Sequence, residues 1–195
     1  FPIKGMDKTL EVFTTRADTL YGVTFIACAV QNKIVGELVR GTKYEKTYNA
    51  FVSTISASEK IEAESVKEKE GFFTGRYAVH PLTREELPIY AGNFVVADYG
   101  TGAVMGVPAH DARDWDFAKK HKIAIKEVIK SSEKDKAYTG NGKIINSAEF
   151  DGLDNEAARV IITKTLEKKG VGGKAVEYKL RDWLISRQRY WGTPI

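Results

Sequence analysis

Thr14, Thr15 and Thr19 place three hydroxyls within six residues, interleaved with Arg16 and Asp18, in the run Thr14-Thr15-Arg16-Ala17-Asp18-Thr19-Leu20-Tyr21-Gly22. Each hydroxyl can both donate and accept a hydrogen bond. Such a run has two uses: its hydroxyls satisfy nearby backbone groups, or they join Arg16 and Asp18 as one wall of a polar pocket. The second informative stretch is Tyr99-Gly100-Thr101-Gly102-Ala103-Val104-Met105-Gly106-Val107-Pro108-Ala109-His110-Asp111-Ala112-Arg113-Asp114, a run of small residues that ends in an acidic turn. Asp111 reads either as a helix N-cap or as a pocket carboxylate. Asp114, beside Arg113, is placed to pair with a ligand's ammonium group. Hydroxyls on one wall and a carboxylate on the other suit a small polar ligand that carries an ammonium group.

Missing motifs narrow the chemistry. The sequence has no Gly-rich phosphate loop ending in Lys-Ser or Lys-Thr, no Gly-x-Gly-x-x-Gly, no Gly-x-Ser-x-Gly and no His-Glu-x-x-His. ATP-binding, dinucleotide-binding and serine-esterase readings lose their main support. The histidines are His80, His110 and His121, so a metal site would have to combine His110, Asp111 and Asp114 with a remote ligand. The expectation is no metal, with His80 beside Pro81 serving a turn.

These residues need elements to hold them. The run Leu10–Thr15 reads as a strand that brings the threonines to its end, and Val23–Val30 as a second, more buried strand. Residues Lys33–Arg40 read as a helix, and Tyr44–Glu70 as two polar helices interrupted near Ser53–Ser58. Short strands are predicted at Gly75–Val79, Leu87–Tyr90, Phe94–Ala97 and Ala103–Val107, the last stopped by Pro108. A helix over Asp111–His121, capped by Asp111, would put Asp114 in its first turn. A strand at Ala124–Ile129, a polar connection from Ser131 to Gly142, a helix over Asn155–Lys169 and a strand at Ala175–Tyr178 complete the reading.

With 195 residues, 43% of them hydrophobic, the chain is long enough for one core, and its length fits one domain or a domain with a small appendage. No apolar run approaches the ~20 residues that span a bilayer, so no membrane association is expected. The start at Phe1, without Met, leads us to expect a segment of a larger protein. The one cysteine, Cys28, lies in an apolar run and reads as a small core residue, which fits a reducing, cytoplasmic setting. The net charge of +4 permits a polyanionic partner, although Glu127, Glu133, Asp135 and Glu167 dilute the two lysine groups, Lys119, Lys120, Lys122, Lys126 and Lys130 in one segment and Lys164, Lys168, Lys169 and Lys174 in the other.

The Thr14–Gly22 run, Phe73-Thr74-Gly75, the Tyr99–Asp114 stretch, Ile145-Asn146-Ser147 with Phe150-Asp151-Gly152, and the run Leu180–Ile195 together resemble the leucyl-tRNA synthetases, class I aminoacyl-tRNA synthetases, in order and spacing over nearly the whole chain. The resemblance is to their inserted editing domain, the first connective polypeptide. It implies an α/β fold: a small barrel-like mixed sheet with peripheral helices, like the editing domains of the valine, isoleucine and leucine enzymes. It divides the chain into an editing domain at 1–180 and a segment at 181–195 that returns toward a catalytic domain outside this sequence. It also implies an activity, hydrolysis of the ester bond of leucine tRNA charged with norvaline, isoleucine, valine or a similar amino acid. No cofactor is implied here, since ATP and Mg belong to the synthetic domain. The implied partners are the acceptor end of leucine tRNA carrying a non-cognate amino acid and the rest of the parent synthetase, with the chain itself a monomer.

Roles carry over by position. Asp114 resembles the anchor of the α-amino group, Thr19 the steric gate against leucine, and Thr14 and Thr15 the residues that position ester or water. Arg16 and Asp18 share the motif; Met105 and Val107 resemble lining residues, and Tyr99 a contact on the nucleotide side. His110, Asp111 and Arg113 join the substrate-binding set. Ala17 stands where the family has Pro, which frees one φ angle without removing a ligand. Two rival readings are a non-catalytic tRNA-binding module, for which the lysine groups would matter and the threonines would not, and a metal-dependent phosphohydrolase.

Overall fold

The structure is a computed structural model, and it describes residues 1–59, 70–97, 100–131, 133 and 135–175. The strand expected at Ala175–Tyr178, the segment 181–195 and Tyr99 lie wholly or largely outside these residues, as does the stretch 60–69. Four strands, β1 (Phe25–Ala29), β2 (Gly71–Val79), β3 (Glu86–Gly92) and β4 (Ala103–Gly106), form one sheet in the order β2-β3-β1-β4. β1 pairs with β3 in parallel and with β4 antiparallel, and β2 with β3 antiparallel. The α/β class with a mixed sheet therefore stands, but the sheet is open rather than barrel-like, with β2 and β4 as its edges.

β1 is buried over its whole length because both faces of the sheet are covered. Ile26 and Cys28 join Ile89, Ala91 and Met105 in the larger core, where Val35 and Leu38 of helix α1 (Lys33–Val39) and Ala158 and Ile162 of helix α4 (Asn155–Lys168) also pack. Phe25, Ala27 and Ala29 face the other way, onto Tyr90 and onto Phe117 of helix α3 (Ala112–His121). Gly106 of β4 makes this second face possible, since a Cβ there would sit 2.3 Å from the Phe25 ring. Burial drives the Cys28 thiol pKa up to about 12, so it behaves as a core group.

Several expected elements take another form. Residues 44–59 hold one helix, α2 (Glu45–Glu59), without the expected break. Ser53 and Thr54 are accommodated because their hydroxyls donate back to the carbonyls of Asn49 and Ala50. Leu10–Thr15 is extended but joins no sheet; Leu10 exchanges bonds with Phe1, and the Thr101 hydroxyl donates to the Glu11 carbonyl. Phe94–Ala97 turns away from the sheet after β3 instead of forming a strand. Ala124–Ile129 makes only an isolated bridge, Ile129 to Ile144, because the imidazole of His110 takes the place of a neighbouring strand. Ala17, free of the proline φ constraint, opens a 3-10 helix over Ala17–Gly22.

Candidate active site

A cavity of about 340 Å³ opens beside edge strand β4, within the size range of small-ligand sites. One wall is the threonine loop, with Thr14, Thr15, Arg16 and Thr19. The opposite wall is Val104 and Met105 of β4, Val107, and the start of α3 with His110, Asp111, Arg113 and Asp114. Phe13 and Phe94, Val95 and Val96 close the rim. The two stretches singled out in the sequence thus meet across one space, although Asp18 does not line it and Tyr99 lies outside the described residues.

The threonine wall is tied together through Arg16. Its N–H donates to Thr14 Oγ1 at 3.0 Å, and its carbonyl accepts both the N–H of Thr19 at 3.0 Å and Thr19 Oγ1 at 2.9 Å. Both uses of the hydroxyl run hold at once: two threonines bond local backbone while lining the cavity. Thr19 is fully buried, whereas Thr15 is exposed. Behind the wall, Asp18 is fully buried between Arg16 and Arg159 of α4. Burial alone would raise its pKa, but the bonds from the two arginines outweigh it and hold the carboxyl below the usual carboxylate value.

On the facing wall Asp111 is the N-cap of α3, its Oδ1 accepting the N–H of Arg113 at 2.7 Å and of Asp114 at 3.3 Å. Asp114 turns back to the strand, where Oδ2 accepts the N–H of Val107 at 2.9 Å. That bond fixes the carboxylate at the junction of β4 and α3, on the cavity wall.

His110 lines the cavity, but both ring nitrogens are engaged elsewhere. Nε2 accepts from the N–H groups of Val128 at 2.9 Å and Ile129 at 3.2 Å, so the proton sits on Nδ1 and is donated to the Tyr138 carbonyl at 3.0 Å. His80 makes a mirror arrangement: Nδ1 accepts from Leu82 and Thr83, and Nε2 donates to the Leu20 carbonyl at 3.0 Å. His80 does serve the turn after β2, from within the core. Burial pushes both pKa values below the ordinary 6.5, more strongly than the bonded carbonyls raise them.

A testable consequence concerns pH. With native pKa values below the unfolded ones, the stability that neutral His80 and His110 provide is complete above the ordinary value of 6.5. It is lost as pH falls from there toward the depressed native values. The melting temperature should be flat near pH 8 and fall by several degrees by about pH 5.5, since ~1 kcal/mol moves a chain of this length by ~2–4 °C. A melting temperature unchanged over that interval would show that neither ring is held neutral.

The cavity rim was not legible as a site in the sequence: Phe94, Val95 and Val96 read as a strand, and Arg159 falls within the helix expected over Asn155–Lys169 with no role of its own. Only the burial of Asp18 reveals what Arg159 does.

A family model described as "Leucyl-tRNA synthetase, editing domain" matches residues 1–167. The chain is 49% identical over 201 residues to the leucine--tRNA ligase of Fervidobacterium nodosum, and 50% identical over 203 residues to that of Thermotoga maritima. Each alignment takes in 100% of this chain and 24% of the relative, so the chain spans about a quarter of their length. Among solved structures it is similar to agnB2 LeuRS of Agrobacterium radiobacter, in a LeuRS-tRNA-LeuAMS ternary complex, with a TM-score of 0.69 and 37% identity over 98% of this chain and 21% of that one. The chain belongs to the leucyl-tRNA synthetase editing-domain family.

Proposed function

We propose that this chain hydrolyses the ester of leucine tRNA carrying a wrong amino acid, such as norvaline, isoleucine or valine. The observation that carries the reading is the cavity itself, where Thr14, Thr15 and Thr19 face Met105, Val107 and Asp114 across one small space. In this reading Asp114 holds the substrate's ammonium group and Met105 and Val107 flank its side chain. The hydroxyls of the threonine loop orient the ester and a water. Attack of that water on the carbonyl carbon breaks the bond to the ribose oxygen, which leaves as a hydroxyl once protonated, and releases the free amino acid.

His110 does not serve as the base, because both its ring nitrogens are engaged by backbone groups. An aminoacyl ester is already activated, so holding water and carbonyl in line supplies a large part of the rate. The vicinal hydroxyl of the substrate's own ribose is placed to assist by relaying the water's proton to the leaving ribose oxygen. A pocket discriminates one methylene by only ~1–3 kcal/mol, a general figure for synthetases of small apolar amino acids, and a second, hydrolytic sieve makes up the shortfall.

The partners in this reading are the tRNA acceptor end and the remaining three-quarters of the synthetase, and the setting is cytoplasmic. The Agrobacterium neighbour was solved in a complex that includes tRNA. Among the described residues no three His, Cys, Asp or Glu side chains gather where a metal ion could be held.

The test is to incubate the chain with leucine tRNA esterified to norvaline, isoleucine or leucine, with and without a chelator. Norvaline and isoleucine should be released faster than leucine, with or without the chelator. Binding without release would favour the tRNA-binding module instead, and loss of release with chelator would favour a metal-dependent hydrolase.

A further inference from the structure

Arg159 does not line the cavity, yet it belongs to the cavity's framework. Asp18 is fully buried and receives Arg16 Nη2 at 2.9 Å and Arg159 Nε at 2.9 Å. Asn155, four residues before Arg159 and so on the same face of α4, reaches Asp18 Oδ2 at 3.4 Å and Asn141 Oδ1 at 3.2 Å. The connection runs from α4 through Asp18 to the Arg16 side chain, and from the Arg16 backbone to Thr14 and Thr19. Both threonines are on the cavity wall.

The charges explain why a second arginine is needed. A carboxylate taken fully out of water must find its hydrogen bonds inside the protein. Arg16 grips both oxygens, with Nε at 3.2 Å from Oδ1 and 3.0 Å from Oδ2 and Nη2 at 2.9 Å from Oδ2, but it is partly exposed at the cavity wall and its Nη1 is directed to the Thr139 carbonyl at 3.5 Å. Arg159 approaches from the helix side and adds a shorter bond to Oδ1, 2.9 Å against 3.2 Å from Arg16 Nε. With Arg159 in place, one carboxylate is matched by two guanidinium groups, so the knot keeps a net positive charge beside the cavity. Without it, Arg16 would be the one guanidinium left on this buried carboxylate, and the tie from α4 to the threonine loop through Asp18 would lose its charged bond.

We propose that Arg159 is a positioning residue of this cavity, holding Asp18 so that Arg16 sets the spacing between Thr14 and Thr19. The inference rests on the editing reading for its catalytic consequence, but its structural half is independent of it.

The test compares the parent chain with Arg159→Met, which removes charge and donor, and Arg159→Lys, which restores both. Amide hydrogen exchange is read at Arg16 and Thr19, with Ile26 of β1 as the internal reference. The Met variant should exchange on the order of tenfold faster at Arg16 and Thr19, with Ile26 unchanged, and Lys should restore most of the protection. The ratio of isoleucyl-tRNA to leucyl-tRNA hydrolysis should fall on the order of tenfold in the Met variant and recover in the Lys variant, because small displacements of positioning groups are expensive.

Unchanged exchange at Arg16 and Thr19 overturns the proposal, as does faster exchange that spreads equally to Ile26, which would make Arg159 a general stabiliser. A local rise with an unchanged hydrolysis ratio also overturns it. A parent chain that hydrolyses neither ester sinks the editing reading, while the exchange data still decide the positioning link. If the Met variant does not fold, Arg159→Gln, which keeps an N–H donor and loses the charge, carries the same comparison.

Discussion

Replacing Asp114 with Asn should abolish hydrolysis of isoleucyl-tRNA in a chain that remains folded. The two side chains differ in charge and little in shape. The carboxylate Oδ2 accepts the N–H of Val107 at 2.9 Å, and an Asn carbonyl oxygen can take over that bond. What Asn cannot do is neutralise an ammonium group, toward which it would present a neutral amide. Asp114→Ala loses the ammonium anchor and the bond to Val107 together. A charge-assisted contact is worth ~1.5–3 kcal/mol, and a misplaced ester multiplies that loss by as much as ~100-fold. Both variants should therefore fall by about two orders of magnitude or more in hydrolysis, with Ala also melting at a lower temperature. The measurement is single-turnover release of isoleucine at equal folded concentration, with circular dichroism and melting curves on each variant. Parent-like hydrolysis by the Asn variant would reduce Asp114 to a fastener between β4 and α3.

The same double use of polar groups explains which parts of the molecule could be read in the sequence. β1, β3 and β4, α1, α3 and α4 were legible because each carries its own period of apolar residues and, for α3, its own cap at Asp111. Two of the elements that depart from expectation have a backbone satisfied by a distant group. Ala124–Ile129 has the composition of a strand, but its N–H groups at Val128 and Ile129 end on His110, eighteen and nineteen residues earlier. No local pattern encodes such a partner. Leu10–Thr15 likewise finds Phe1 and Thr101 instead of a sheet.

The candidate site follows the same division. Thr14, Thr19, Met105, Val107 and Asp114 sit on two stretches whose composition alone marked them out, and the fold places these stretches across one cavity. Asp18 belongs to the same run of sequence but lies behind the wall, buried and paired with Arg16 and Arg159. Along the apolar rim, Val96 is exposed while Val95 is buried with Phe25 and Phe117 and Phe94 packs half-buried against them, a division that composition could not show because exposure is a property of the assembled fold.

Thr19→Ala should create an activity: hydrolysis of correctly charged leucyl-tRNA, which on the proposed function the parent chain should spare. Thr19 lines the cavity and is fully buried, so the space it fills is denied to any substrate. Its Oγ1 donates to the Arg16 carbonyl at 2.9 Å, which keeps the side chain in one rotamer and the wall in one place. Trimming it to Ala opens the volume of a hydroxyl and a methyl where the branched γ-carbon of leucine must lie. One such group is worth ~1–3 kcal/mol of discrimination, so leucyl-tRNA hydrolysis should rise ~10- to 200-fold while isoleucyl-tRNA hydrolysis changes little. Thr19→Val separates the two properties of the residue. Val keeps the bulk and loses the bond to Arg16, at a cost of ~1 kcal/mol in stability, since the Arg16 carbonyl still accepts the Thr19 N–H at 3.0 Å. If bulk is the gate, the Val variant still spares leucine. Thr19→Tyr, which overfills the same space, should block every substrate. The four chains are compared on leucyl-tRNA and isoleucyl-tRNA at equal folded concentration. Leucine that stays protected in the Ala variant would place the gate at another lining residue, and leucine released equally by Ala and Val variants would make the bond to Arg16, not bulk, the basis of exclusion.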